Sequence, residues 1–280
     1  MKRVLSILVC LIAAVQLHAQ AVPALLVPTD GRSLAMGGTS LPYTAASLDA
    51  GAFYGIWAPQ SAQNTMLGLD AFFRIGKFSF TAEGVDFLDL PYNAYSEPQG
   101  SKGSFKPYDL ILSVGGAYDI TDNLTAGLKV RSITSALAES AVGSVYCGDI
   151  YVSYGGQNWA AALSGRNIGG KINYGGGDYA LPALVSVDGN WSPIGQLIIA
   201  GQAAWLFSGA LMAGVGAEYT FADIVSVRAG FHYGDAAKAL PTFASTGFGV
   251  HFYGVKLDAA YVLPFGNTGN SFVIRAGYAF

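Results

Sequence analysis

Apolar and small or polar residues alternate with a period of two along most of this chain. From Leu211 one parity reads Leu211, Ala213, Val215, Ala217, Tyr219, Phe221 and the other Met212, Gly214, Gly216, Glu218, Thr220. From Val225 the sets are Val225, Val227, Ala229, Phe231, Tyr233 and Ser226, Arg228, Gly230, His232. The stretches from Leu124 to Arg131 and from Ser271 to Phe280 repeat the pattern. A 180° repeat is strand geometry. In a soluble sandwich the polar parity would carry abundant Lys, Glu and Thr; here it is mostly Gly, Ser and Ala with single charges. Only 12% of the 280 residues are charged, while 52% are apolar, and soluble domains carry about 25% charged residues. The expected fold is all-β: a transmembrane antiparallel barrel, apolar outside and mixed polar inside, closed so that no backbone group is unpaired in hydrocarbon.

A transmembrane helix has one candidate, the uncharged stretch from Gly189 to Ala217. Pro193, Gln196 and Gln202 lie inside it, and Ser208-Gly209 separates two apolar segments, so a hairpin is the better reading. Short links at 118–123, 155–158, 191–195, 221–223 and 253–254 alternate with longer ones at 135–143, 168–181, 207–209, 234–241 and 264–270. Periplasmic turns and extracellular loops alternate in this way. Thirteen strands follow from Thr65 onward, and because single-chain bacterial barrels have even numbers, a short strand at 52–57 brings the expectation to fourteen. Residues 20–49, with Pro28, Asp30, Gly31 and Gly37-Gly38, are left as a small N-terminal plug or hatch, and residues 50–280 as the barrel. Tyr219, Phe221, Tyr233, Phe252, Tyr253, Tyr261 and Tyr278, near strand ends, suit interfacial girdles.

Residues 1–19 have the form of a cleaved signal peptide: Lys2 and Arg3, an apolar run from Val4 to Val15, and a cut after Ala19. The expected location is the outer membrane of a Gram-negative bacterium, with its lipid as a partner. Cys10 follows Val9 and lacks the small neighbour a lipid-attachment site needs. Cys147 is then the only cysteine of the processed chain, so no intramolecular disulfide forms. The net charge of −3 leaves no basic face to neutralise phosphates, which argues against nucleic acid.

His232 and His251 fall on inward parity of neighbouring strands, with Ser226 and Ser245 on the same faces and Asp258 on the next strand. A barrel hydrolase acting on lipid would use such a set, yet no Gly-x-Ser-x-Gly elbow accompanies it, and the expectation is a non-enzymatic chain without cofactor. The two histidines with Glu218 or Asp258 lack the close spacing of a metal motif, and no metal is expected. Gly165 to Lys171 mimics a phosphate-binding loop until Ile172, where Ser or Thr is required, and reads as an extracellular loop. The inward charges Lys129, Arg131, Asp149, Glu218, Arg228, Lys256, Asp258 and Arg275 carry both signs, so the lumen is not a single-sign filter; Glu218 with Arg228 and Asp258 with Arg275 are the expected pairs. Tyr92 and Tyr95 in the 89–107 loop, and Tyr174 and Tyr179 in the 168–181 loop, are candidate surface contacts.

Several motifs together resemble the PorV/PorQ family of outer-membrane proteins, within the wider FadL-like transport barrels. They are the plug motif Arg32-Ser33-Leu34-Ala35-Met36-Gly37-Gly38-Thr39-Ser40 with Asp49-Ala50, then Tyr118 to Leu124, Leu181-Pro182-Ala183, Gly216 to Tyr219, Val227 to Phe231, Gly247 to Gly249 and Lys256 to Tyr261. The chain departs from the family at Ala58-Pro59-Gln60, where Asn-Pro-Ala is usual. The resemblance implies fourteen strands with a plug at the periplasmic mouth. It also implies a cargo-handling role in a type IX-like secretion system, with secreted proteins or secretion components as partners. The alternative it carries is FadL-like uptake of a hydrophobic small molecule.

Overall fold

Each alternating segment forms a strand. The structure, a computed structural model, describes residues 20–39, 47–58, 64–97, 100–235, 237–265 and 269–279. The leader, Pro59-Gln60 and Phe280 lie outside the described residues. The chain begins its wall with β1 (Leu48–Trp57), β2 (Asn64–Ile75) and β3 (Phe78–Leu88), followed by a hairpin of β4 (Tyr92–Glu97) and β5 (Gly100–Phe105). The wall resumes with β6 (Tyr108–Asp119), β7 (Leu124–Ala138), β8 (Ala141–Gly155) and β9 (Trp159–Gly169). A second hairpin, β10 (Lys171–Asn173) and β11 (Asp178–Ala180), precedes β12 (Leu184–Ile194), β13 (Leu197–Leu206) and β14 (Leu211–Phe221). The last four strands are β15 (Val225–Gly234), β16 (Phe243–Phe252), β17 (Val255–Pro264) and β18 (Ser271–Ala279). Fourteen of these strands form one closed antiparallel barrel, in which β18 pairs with β1 from Asp49↔Ala279 to Ile56↔Phe272. The strand expected at 52–57 is ten residues long.

Gly189 to Ala217 lies across β12, β13 and β14, and no helix among the described residues is long and apolar enough to cross a membrane. Two expected loops are instead wall. The link at 135–143 shrinks to Glu139-Ser140, because β7 and β8 run fifteen residues each and keep Ile133 and Val145 packed inward. Gly165 to Gly169 belongs to β9, and only Gly170 separates it from β10. A register shift between Gly148 and Ile150, with Asn167 at φ 55°, turns the Asn167 side chain inward there. The 168–181 segment folds back as the β10–β11 hairpin, whose Ile172 is fully buried.

The outward parity is a band of exposed apolar side chains such as Leu67, Leu69, Val114, Leu128, Ile150, Val187 and Val215. Hydrocarbon is the solvent that such a wall requires. Aromatic pairs rim the end with the short turns: Phe78 with Tyr118, Tyr154 with Trp159, Tyr219 with Phe221, and Phe252 with Tyr253. At the loop end, Tyr54 meets Phe272 and Phe231 meets Phe265.

The inward parity is not uniformly polar. Toward the loop end it carries Trp57, Met66, Phe87, Ile133, Leu206, Phe243 and Val262, which pack with Ala21, Val22 and Val27 into a buried apolar core. These last residues belong to an N-terminal segment, 20–39, that lies inside the barrel. It starts at the loop end, where the Ala21 amide donates to the Ala180 carbonyl (2.9 Å). It then forms the one-turn helix Gly31–Ala35, whose Arg32 and Ser33 amides donate to the Asp30 carboxylate (both 3.1 Å). That is an ordinary N-cap.

Inward glycines hold this segment. At Gly214 and Gly216 of β14, Gly230 of β15 and Gly247 of β16, an added Cβ would collide with Ala35, Met36 or Gly37. The missing side chains make a flat seat against which a second backbone rests. Gly37 itself (φ +76°) turns between the walls of that seat, a conformation that side-chain-bearing residues rarely adopt. Replacing Gly230 with Val is expected to expel the segment and leave the wall intact. In detergent, trypsin should then cut after Arg32 while far-UV circular dichroism keeps its β-sheet spectrum; continued protection of Arg32 would show that the seat is dispensable.

Candidate functional site

Between the inner segment and the wall runs a cavity of about 1150 Å³. Toward the turn end its lining is ionic, with Asp49, Asp70, Arg74, Asp119, Lys129, Lys256 and Arg275. Farther in, toward the loops, it meets Leu26, Leu184, Ala204, Met212, Leu240 and His232. The two regions follow from the strands: the same inward parity that carries charge near the turns carries aliphatic side chains near the loops.

Three networks organise the charges. In the first, Arg228 donates through Nε to Glu218 (2.5 Å) and through Nη1 to Asp258 (2.6 Å). Arg32 of the inner helix adds Nε to Glu218 (2.8 Å), tying the segment to the wall. In the second, Arg275 donates to Asp49 (2.6 Å) and Asp70 (2.9 Å), and Lys256 also donates to Asp49 (2.6 Å). The third joins Arg131 to Asp149 (2.6 Å) and to the Asn167 side chain, whose own amide group donates to the Pro182 carbonyl (3.0 Å). Lys129 lies 3.5 Å from Glu83, which also accepts from Thr29 of the inner segment.

Glu218 and Arg228 pair as the register expects. Asp258 and Arg275 do not pair, although they are directly opposed across β17 and β18. Arg275 reaches the other way, across β1 to β2, where two carboxylates accept its fork, and Asp258 is taken by Arg228. Asp49, Asp70, Glu83, Arg166 and Asp188 were not among the candidates read from the sequence. Arg166 lies 3.2 Å from Asp188, which also accepts from Gln202 (2.6 Å). The parity rule contains the signal for Asp70, Glu83 and Asp188, each of which shares a face with buried inward residues such as Met66, Val85 and Leu184.

His232 and His251 do not converge. His232 opposes Phe243 near the loop end, whereas His251 is exposed at the turn end, eight residues along β16 or roughly 27 Å away. His232 is buried, stacks on Phe243 (centroids 4.8 Å apart) and lies with Nδ1 3.1 Å from the Gly37 carbonyl. Ser245 is occupied by the inner segment, donating to the Ala35 carbonyl (3.0 Å) and accepting from the Gly37 amide (3.1 Å). Ser226 lies against Thr220 (2.9 Å). The hydroxyls of Ser226 and Ser245 are thus engaged with groups other than the two histidines.

The plug-motif residues are all internal: Arg32 pairs with Glu218, Met36 is fully buried, and Gly37 and Gly38 both have positive φ. Tyr174 is not a free surface contact. Its hydroxyl donates to Ser135 (2.8 Å) and its ring packs on Tyr179, fastening the β10–β11 hairpin to β7. Tyr179 remains exposed. Tyr92 and Tyr95 stand in β4 opposite Phe105 and Ser101, and their side chains lie outside the described structure.

No protein-family model matches the chain, and no curated protein does. Solved structures do. The toluene transporter TodX of Pseudomonas putida superposes with a TM-score of 0.66 at 13% identity, covering 89% of this chain and 97% of that one. The monoaromatic hydrocarbon channel CymD gives 0.66 at 13%, covering 94% and 99%. A FadL homologue of Pseudomonas aeruginosa gives 0.55 at 13%, covering 91% and 99%. At these identities the likeness establishes the fold.

Arg228 and Glu218 are both nearly inaccessible. Removing one partner of a buried pair costs up to about 3–5 kcal/mol; without Arg228, Asp258 loses its cation while Glu218 keeps Arg32. Arg228→Met should lower unfolding free energy in urea by that order. Glu218→Gln combined with Arg228→Met should cost less than the sum of the single changes; additive losses would mean the pair is not coupled.

Proposed function

We propose that this chain is an outer-membrane channel for hydrophobic small molecules, exported through a cleaved leader, with residues 20–39 as its plug and no enzymatic step. The observation that carries this reading is the interior itself. A cavity of about 1150 Å³ extends from an ionic mouth to an aliphatic inner lining, and clefts of about 300–1,000 Å³ already enclose a small ligand. Its lining carries eight carboxylates and eight Arg or Lys side chains, so neither sign prevails and no ion is selected. The likeness to barrels described as a toluene transporter and a monoaromatic hydrocarbon channel supports the same reading. The PorV/PorQ resemblance of the motifs points instead to cargo handling in a type IX-like system. Of the loop tyrosines proposed as surface contacts, Tyr174 is half-buried and bonded to Ser135, which weakens that alternative.

The test is expression in the outer membrane of a host lacking hydrocarbon channels, followed by uptake of labelled toluene. Faster uptake than in cells with an empty vector is expected, together with an unaltered set of surface-exported proteins in the native organism after deletion. Equal uptake in the two strains overturns the proposal. Loss of exported proteins with uptake unchanged would install the secretion role in its place.

A further inference from the structure

Arg166 lines the cavity from the inward parity of β9 and is only partly used by its neighbours. Its Nε donates to Ser164 (3.2 Å), and its Nη2 lies 3.3 and 3.2 Å from the two carboxylate oxygens of Asp188. Its Nη1 has no hydrogen-bond partner among the described residues. The side-chain polar atoms that are buried without a partner are Asp86 Oδ1, Ser113 Oγ, Ser208 Oγ and His232 Nε2. Arg166 Nη1, unpartnered and not buried, therefore keeps accessible surface, in line with the 29% exposure of the whole side chain. Leu184 stands directly opposite Arg166 across β9 and β12, and Ala204 and Met212 face each other on the next two strands. All three line the same cavity, so an open N–H donor borders its aliphatic surface.

We infer that Arg166 Nη1 is the recognition point for an apolar molecule carrying one neutral hydrogen-bond acceptor, such as an aryl ketone or an ester. This inference rests on the channel reading and names its substrate class. Arg166 is already matched in charge by Asp188, which is buried and also accepts from Ser186 (2.8 Å) and Gln202 (2.6 Å). A carboxylate would bring an unmatched charge into a neutral site and lose its water there. A hydrocarbon fills the aliphatic lining and leaves the N–H unpaired. A carbonyl oxygen accepts from Nη1 while the apolar body of the molecule lies along Leu184, Ala204 and Met212, and a neutral group loses less on leaving water.

The experiment is calorimetric titration of the full chain in detergent with acetophenone, cumene and benzoate; the first two differ by a carbonyl oxygen for a methyl branch. Wild type is compared with Arg166→Met combined with Asp188→Asn, which removes the donor and its counter-charge together, and with Arg166→Lys, which keeps a charged donor. The double variant is expected to weaken acetophenone about tenfold, the scale of one hydrogen bond from a charged donor, with cumene changed less than twofold and Arg166→Lys weakening acetophenone less. In wild type, which needs no variant to fold, the infrared carbonyl stretch of bound, isotope-labelled acetophenone is expected at lower frequency than in detergent alone. An unshifted band overturns the inference and leaves the channel reading standing. So does tighter binding of benzoate than of acetophenone, or an equal change for acetophenone and cumene in the double variant with its β-sheet dichroism intact. Failure of wild type to bind any of the three overturns both.

Discussion

The β1–β18 ladder is the contact on which the rest of this protein depends. In hydrocarbon an unpaired strand edge has no water to turn to, and each orphaned amide or carbonyl costs several kcal/mol. The antiparallel register from Asp49↔Ala279 to Ile56↔Phe272 removes both edges at once. Once the wall is closed, each of its fourteen strands has one face toward lipid and one toward the interior. The outer face has a single task and a nearly uniform composition, which frees the inner face to vary.

That inner face is filled in two ways. Toward the loops, aromatic and aliphatic side chains pack with the first residues of the inner segment, as in the core of a soluble domain. Toward the turns, arginines and carboxylates interlock, with Arg228 between Glu218 and Asp258 and Arg275 between Asp49 and Asp70. Between the two regions the glycine seat lets the main chain of Ala35 to Gly37 lie directly on β14, β15 and β16. The segment is held both by shape and by the Arg32–Glu218 pair, a combination that fixes its depth in the barrel. It also brings the Gly37 carbonyl to His232, so the orientation of this buried imidazole depends on a part of the chain nearly 200 residues earlier.

Much of this was legible in the linear chain. A period of two with lipid-compatible residues on one parity yields strands, their faces and the alternation of turns and loops, because side-chain direction in a strand is decided within two residues. The same rule placed Glu218, Arg228, His232 and Arg275 inside and paired the first two. It failed where the outcome turned on more than one neighbouring strand. Asp258 and Arg275 face each other in register, yet the Arg275 guanidinium is long enough to choose two carboxylates on the opposite side. The 135–143 and 165–169 stretches looked like loops because Glu139-Ser140 and the glycines at 143, 165 and 169 interrupt the alternation, whereas buried inward residues and the Asn167 bulge keep them in the wall.

The amino-acid order alone therefore determined a closed antiparallel wall in lipid, its approximate strand number, and which residues look inward, since all of these follow from local periodicity and from the absence of water around the backbone. Tertiary structure alone decided that Arg275 turns to Asp49 and Asp70 and Arg228 to Asp258, where the interior changes from ionic to aliphatic, and how His232 is oriented. Those outcomes depend on distances between strands and an inner segment far apart in the chain, and no local pattern encodes them.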